Sequence, residues 1–254
     1  MFNPCIVVPV FDHEGAIAAT VASLVPHRLA TFLVDDGSHA ACARELDRLA
    51  AEHRDWVRLV RLTPNQGKGA AVMAGFEAAS ATGFSHAVQI DADGQHDAAD
   101  IPRLLDAARA QPQALVTGIP QYDASVPRSR LYGRYVTHVW VWINTLSFRI
   151  RDSMLGFRVY PLDAALQVWR TQPVGRRMDF DTEIMVRMFW EGIDVISLPT
   201  RVTYPADGVS HFDVLRDNLR ISRMHARLFF GMLRRLPRLL ARKFGPGPAL
   251  EPRP

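Results

Sequence analysis

Phe84-Ser85-His86-Ala87-Val88-Gln89-Ile90-Asp91-Ala92-Asp93-Gly94-Gln95-His96-Asp97 is the stretch that decides the fold. Its first half, His86 to Ile90, is short, largely apolar and carries β-branched residues, which fits a buried strand. Its second half gathers Asp91, Asp93, Gln95, His96 and Asp97. Desolvating each unpaired carboxylate costs several kcal/mol, so no core holds such a cluster. The chain must leave the sheet at Asp91 and place these groups in a cleft. In open α/β sheets such clefts lie beyond the carboxyl ends of the strands.

Asp91 and Asp93 flank one alanine, a spacing that lets two carboxylates share a hard cation. Mg²⁺ or Mn²⁺ suits them, with Gln95 as a neutral oxygen ligand. An EF-hand is excluded, because Gly94 stands at loop position four and Pro102 where the bidentate Glu belongs. A helix cap near Asp100-Ile101-Pro102 accounts for one acid but not for three.

With 254 residues and 48% apolar content, the chain can bury the core of one large domain, with or without an appendage. The net charge is +4, but it is unevenly spread. Residues 213–243 hold nine Lys/Arg against two Asp, a local +7, which leaves about −3 for the rest. Such segregation points to an anionic surface, membrane or nucleic acid. Cys5 and Cys42 form no disulfide framework or metal-ligand spacing, and Cys5 in Cys-Ile-Val-Val-Pro-Val reads as a small buried hydrophobe. A reducing cytoplasm fits this usage. The N-terminus has no basic n-region, and no apolar run reaches the ~20 residues that span a bilayer.

Strands are expected near residues 5–10, at Thr31–Val34, at Val57–Leu62, at His86–Ile90 and at Ala114–Gly118. Helices alternate with them, which argues an α/β fold with a doubly wound, mostly parallel sheet. Three polar clusters then fall at strand ends: Asp12-His13-Glu14, Asp35-Asp36-Gly37-Ser38 and Asp91-Ala92-Asp93. A parallel sheet puts all three on one edge, where such folds build nucleotide sites. Glu14, Asp35, Asp36 and Asp91 are therefore candidate donor-binding residues. The dinucleotide fingerprint and the Walker loop are missing. Gly67-Lys68-Gly69 either brings amides and the Lys68 ammonium to a phosphate or simply joins loop to helix. Asp35-Asp36 has the plainer reading of a helix N-cap and its neighbour.

Four segments carry a family resemblance: Val8-Pro9-Val10-Phe11-Asp12-His13-Glu14, Val34-Asp35-Asp36-Gly37-Ser38, Asn65-Gln66-Gly67-Lys68-Gly69 and Asp91-Ala92-Asp93-Gly94-Gln95-His96. Their order and spacing resemble family 2 glycosyltransferases, above all the polyprenyl- (dolichyl-) phosphate branch. The resemblance implies a GT-A fold, a nucleotide-sugar donor and a divalent ion under its diphosphate. It places Pro9, Phe11 and Asp36 at the nucleoside and Asp91, Asp93 and Gln95 at the metal and diphosphate. A similar enzyme inverts the anomeric centre by direct attack. An ionised lipid phosphate needs no strong base as acceptor, whereas a hydroxyl does.

On the acceptor side the pattern departs from the family. Gly118-Ile119-Pro120 stands where a Gly-x-Arg is usual, so Arg128 or Arg130 is the candidate replacement. Asp152-Ser153-Met154-Leu155-Gly156-Phe157-Arg158 resembles the branch's D-x-x-S-G-F-R, with Leu155 for its Ser, and makes Arg158 an acceptor-side candidate. Asp179-Phe180-Asp181-Thr182-Glu183 opens a helix where relatives keep an acceptor-side carboxylate, so Asp181 and Glu183 join Asp93 as catalytic candidates; helix-dipole compensation is the plainer reading. Gly208-Val209-Ser210-His211 sits where the branch has G-x-S-K, giving Ser210 and His211 as acceptor-side candidates.

Residues 131–148 read as an aromatic helix, either core or interfacial. From Asp213 a helix is expected to about Arg235, interrupted by Pro237. Ile221, Met224, Leu228, Met232 and Leu236 form its stripe, with arginines interleaved. That pattern fits a helix on an anionic leaflet, and packing on the core or in a homo-oligomer is the alternative. No base-reading motif accompanies the charge, which argues against nucleic acid. The expected organisation is a domain over 1–212 (donor half about 1–120, acceptor half about 121–212), a basic helix over 213–244 and a disordered tail over 245–254. The expected function is metal-dependent sugar transfer from a nucleotide-diphosphate sugar to a lipid-linked acceptor, peripheral to the inner face of the membrane. A soluble acceptor, or an inactive nucleotide- or lipid-binding module, is the rival.

Overall fold

Alternate residues of the first strand part company. In β1 (Pro4–Val10), Cys5 and Val7 join one apolar layer while Ile6, Val8 and Val10 join the other. That is the two-residue period of a strand buried on both faces. Burial pushes the Cys5 thiol up to about 12, as befits a small hydrophobe. The computed structural model describes residues 1–121, 128–203 and 213–244, except for the side chains of 128–132 and 243–244. Arg128 and Arg130 (as side chains), Ser210, His211 and the tail 245–254 lie outside the described residues.

After β1 the chain alternates through α1 (Glu14–Leu24), β2 (Thr31–Asp36), α2 (Ala40–Glu52), β3 (Val57–Leu62), α3 (Lys68–Ala81), β4 (His86–Gln89), α4 (Ile101–Ala110) and β5 (Leu115–Gln121). Then come α5 (Arg128–Thr145), β6 (Arg158–Pro161), α6 (Leu162–Thr171), α7 (Phe180–Trp190), β7 (Val195–Arg201) and α8 (Val214–Phe244). The seven-stranded sheet has the order β3-β2-β1-β4-β6-β5-β7, with β6 antiparallel to both neighbours and every other pair parallel. This is the expected α/β, mostly parallel sheet. From central β1 the chain moves outward to β2 and β3, then returns to the other side at β4. That reversal opens a crevice beyond the ends of β1 and β4. Asp12 and Asp91 follow those ends.

Two boundaries differ from expectation. β2 runs on through Asp36, since both its terminal carboxylates find partners, and His39, not Asp35 or Asp36, caps α2. α8 continues past Pro237. An interior proline costs about 3 kcal/mol, but packing on both sides of it holds the helix: Met232 and Leu239 are buried, and Arg242 donates to the Phe189 carbonyl at 2.7 Å.

The expected leaflet stripe of α8 is also corrected. Met224, Leu228 and Met232 are buried in the layer that holds α3, α6 and α7, with Ile221 and Leu236 packed against it. This face meets the protein's own core. Among the basic residues, Arg227 pairs with Glu183 at 2.7 Å and Arg235 lies over the Trp190 ring at 4.7 Å. α8 thus completes the layer instead of lying apart from it.

α3 crosses β1 and β2 closely at Gly75, where an added Cβ would collide with Val7 and lie 2.9 Å from Val34 Cγ2. Overpacking of this kind costs about 1–3 kcal/mol. Gly75→Ala should therefore lower the chemical-denaturation midpoint by that order, with the slope unchanged.

Candidate functional site

The loop after β3 is built around one carboxylate. Asp36, almost fully buried at the end of β2, accepts from the amides of Gln66 and Gly67 at 2.7 Å each and from Asn65 Nδ2 at 3.0 Å. Burial raises its pKa, and the amide hydrogen bonds act against that rise. Arg177 donates to Asn65 Oδ1 at 2.9 Å, so the segment before α7 grips the same loop. Gly67 turns at φ +102°, and any Cβ there would strike Arg176 and Arg177. Only glycine fits that turn. The result delivers Lys68 at the first residue of α3.

Lys68 is the hinge of the site. Its Nζ lies 2.9 Å from Asp91 Oδ1 and 2.9 Å from Asp181 Oδ2. Asp91 follows β4, and Asp181 stands in the first turn of α7. One ammonium therefore joins the two halves of the chain. Burial works against both charges, but the mutual attraction is stronger. The Asp91 carboxyl is held well below the usual carboxylate range, and Lys68 is raised above its ordinary value. His96 Nε2 lies 3.4 Å from Asp91 Oδ2, and its ring stacks on Phe157 at 5.3 Å. A Cβ on Gly156 would sit 2.6 Å from Asp91 Oδ2 and 2.8 Å from Lys68 Nζ. Gly156 thus leaves the space that the ion pair occupies.

Asp181 is fully engaged. Gln89, wholly buried in β4, donates to its Oδ1 at 3.0 Å, while Lys68 takes Oδ2. Arg158, expected on the acceptor side, is wholly buried. It donates to the Asp181 carbonyl at 2.6 Å, the Ser153 carbonyl at 2.7 Å and the Tyr160 hydroxyl at 3.0 Å. It holds the start of α7 against the Asp152–Phe157 segment. Glu183 is also wholly buried. It accepts from Arg187 at 2.6 Å, Arg227 at 2.7 Å and the Gly175 amide at 2.8 Å.

At the rim, Asp93 accepts from the Gln95 amide at 3.1 Å through Oδ1. Asp35 accepts from Ser38 N and from Arg61 Nε, both at 2.9 Å, so it secures the β2 end to β3. Asp12 accepts from His39 N at 2.8 Å, and Glu14 lies 3.4 Å from His39 Nε2. These contacts tie the first two strand-end loops together. Pro9 pairs in register with Val34 inside the sheet, and Phe11 follows the strand. The structure thus gathers Lys68, Asp91 and Asp181 in direct contact. Asp36 and Arg158 act one step behind them, and Glu183 belongs to a separate ion cluster.

Gln89, His96, Gly156 and Arg177 were not among the candidates. Gln89 had a readable signal, an amide inside a buried strand, which must find a partner. No local pattern marks Arg177, whose partner Asn65 is remote in sequence.

Replacing Lys68 by Met should leave Asp91 and Asp181 facing one another without their cation. Removing one partner of a buried ion cluster costs about 3–5 kcal/mol, less where water reaches it, as it does here. We expect a loss of about 2–3 kcal/mol at pH 7.5. The loss should shrink as pH falls toward the carboxylate range and protonation relieves the pair. Urea unfolding at pH 7.5 and pH 5 checks this.

A polyprenol monophosphomannose synthase from Mycolicibacterium smegmatis is 29% identical over 184 residues, covering 70% of this chain and 68% of that protein. Among solved structures, glucosyl-3-phosphoglycerate synthase from Mycobacterium tuberculosis, in complex with phosphoglyceric acid, superposes with a TM-score of 0.64 at 15% identity, over 92% of this chain and 80% of the other. A mannosyltransferase from Pyrobaculum calidifontis, in complex with GDP-mannose and Mn²⁺, gives 0.55 at 17% identity, over 97% and 77%. These two neighbours establish the GT-A-like fold. Residues 5–167 match Glycosyl transferase family 2, and with the strand-end cluster in that fold the chain belongs to this family.

Proposed function

We propose that this enzyme transfers a sugar from a nucleoside-diphosphate donor to the phosphate of a polyprenyl-type lipid, at the inner face of a membrane. The observation that carries the choice of acceptor is the state of the acceptor-side carboxylates. Both oxygens of Asp181 are taken by Lys68 and Gln89, and both of Glu183 by Arg187, Arg227 and Gly175. A hydroxyl acceptor needs a base within hydrogen-bond reach to take its proton. A phosphate monoester, with a second pKa near 6, arrives already ionised. The named activity of the M. smegmatis relative supports the same acceptor class.

In this reading an acceptor phosphate oxygen attacks the anomeric carbon from the face opposite the leaving group. The carbon–oxygen bond to the donor's β-phosphate breaks, the nucleoside diphosphate departs, and the configuration inverts. Lys68 offsets one of the two negative charges of Asp91 and Asp181, so this wall of the crevice repels the departing diphosphate less than the bare carboxylates would. Phe11 and Glu14 follow the end of β1 on the donor side, while Pro9 and Asp35 are buried behind them and Asp36 shapes the loop behind Lys68.

A divalent ion fits Asp93 and Gln95. Both offer hard oxygen donors, one Asp93 carboxylate oxygen and the Gln95 side-chain carbonyl accept no hydrogen bond among the described residues, and the Pyrobaculum neighbour carries Mn²⁺. Asp91 stands behind them, its charge already shared with Lys68 and His96. When bound, the ion would neutralise charge on the leaving diphosphate.

Two measurements test this. Given a nucleotide sugar, the enzyme should glycosylate a polyprenyl phosphate and leave the corresponding free alcohol untouched. Equal transfer to the alcohol would overturn the acceptor assignment. Asp93→Asn should abolish Mn²⁺-dependent donor binding in calorimetry without shifting the melting temperature, because among the described residues the Asp93 side chain holds only the Gln95 amide. Undiminished Mn²⁺-dependent binding in that variant would remove Asp93 from the metal site.

A further inference from the structure

α8 has a second apolar face, and it points away from the protein. Leu215, Leu219, Phe230, Leu233 and Leu240 are 83%, 51%, 63%, 45% and 39% exposed. They recur four, eleven, three and seven residues apart, each close to whole turns, so they fall on one line of the helix. Ala226 and Pro237 are exposed on the same line. This line is distinct from the buried Met224, Leu228 and Met232. Contiguous large apolar residues left in water mark an interaction surface.

Both flanks of the line are informative. On one side run Arg216, Arg223, Arg234 and Arg238, all exposed. Arg223, Arg234 and Arg238 make no ion pair among the described residues, whereas Arg220 and Arg227, nearer the protein, are held by Asp217 and Glu183. On the other side Phe229 meets the Trp140 ring at 6.3 Å, so α5 continues the surface. There Val136, Trp140 and Ile143, spaced four and three apart, are 57%, 39% and 38% exposed. Asp217, buried and paired, is the only acidic residue of α8, and α5 has none.

We propose that this face, the outer line of α8 with Val136, Trp140 and Ile143 of α5, docks the protein on an anionic lipid bilayer. The apolar line would enter the interfacial region, Trp140 would sit at its edge, and the free arginines would meet headgroup phosphates. Charge argues for lipid over a second copy of the chain. A two-fold contact through this face would bring arginine rows together with no exposed helix carboxylate to receive them. The proposal rests on this surface alone and not on the sugar-transfer reading.

Flotation with phosphatidylcholine vesicles, with and without about a third phosphatidylglycerol, tests it without donor or acceptor. The wild type should float with the anionic vesicles at least tenfold more than with the neutral ones, and high salt should weaken the binding. Phe230→Ser/Leu233→Ser and Arg223→Glu/Arg234→Glu should each lose at least tenfold while keeping the wild-type melting temperature. Arg54→Glu/Arg109→Glu, an equal charge change on other exposed sites, should float as the wild type does. If a double variant fails to fold, Leu219→Ser takes its place. No preference for anionic vesicles, or an equal loss in the Arg54/Arg109 control, would overturn the proposal. So would a wild-type dimer by light scattering that Phe230→Ser/Leu233→Ser turns into monomer.

Discussion

The ammonium of Lys68, shared between Asp91 and Asp181, is the contact on which the architecture of the site depends. It joins the end of β4, in the half that carries the strand-end motifs, to the start of α7, in the half that follows. Two carboxylates brought this close repel strongly at low dielectric, and a single cation between them reverses the sign. The surrounding structure serves that arrangement. Asp36 folds the loop that starts α3 at Lys68, Gln89 occupies the remaining Asp181 oxygen, and Gly156 leaves the room. Arg158, fully buried, holds the α7 backbone at the Asp181 carbonyl and ties it to the Ser153 carbonyl and the Tyr160 hydroxyl.

A second ion cluster extends the same logic to the C-terminus. Glu183, two residues beyond Asp181, is wholly buried and holds Arg187 and Arg227. Arg227 belongs to α8, so the last helix is tied to the element that carries Asp181. Trp190, at the other end of α7, packs under α8 and donates to the Asn144 carbonyl of α5 at 2.9 Å. α5, α7 and α8 therefore form one packed group. The outer face of α8 thus belongs to the same packed group as the element that carries Asp181.

Much of this was legible in the sequence, and the reasons are physical. A buried strand ending in Asp91-Ala92-Asp93 can only open into a cleft, and the alternation of strands and helices forces a parallel arrangement with its clefts on one edge. The resemblance drawn from four motifs agreed with the family assignment. What could not be read were partnerships across long sequence distances. Asp36 has the look of a ligand-binding acid, and three donors of the loop after β3 bond to its two oxygens. Glu183 sits in a motif that suggests catalysis, yet its charge balances two arginines, one of them forty-four residues away. Composition announces a charge. It does not say which charge will be its neighbour.

α8 shows the same limit in another form. Its spacing reveals apolar residues at helical intervals, and a single stripe beside arginines invites the reading of a membrane helix. But thirty-one residues that alternate among Leu, Met, Phe and Arg carry two apolar lines and a basic row between them. Periodicity alone cannot rank the two lines, because both satisfy it equally well. Packing ranks them. The line with the flexible methionines, Met224 and Met232, is buried in the apolar layer that also holds Trp190. The line of leucines and Phe230 is left outside beside the unpaired arginines. A helix that only completed a core would have no reason to leave an aromatic ring, Phe230, in water. The outward line is therefore better explained by a surface the protein meets than by the fold it completes.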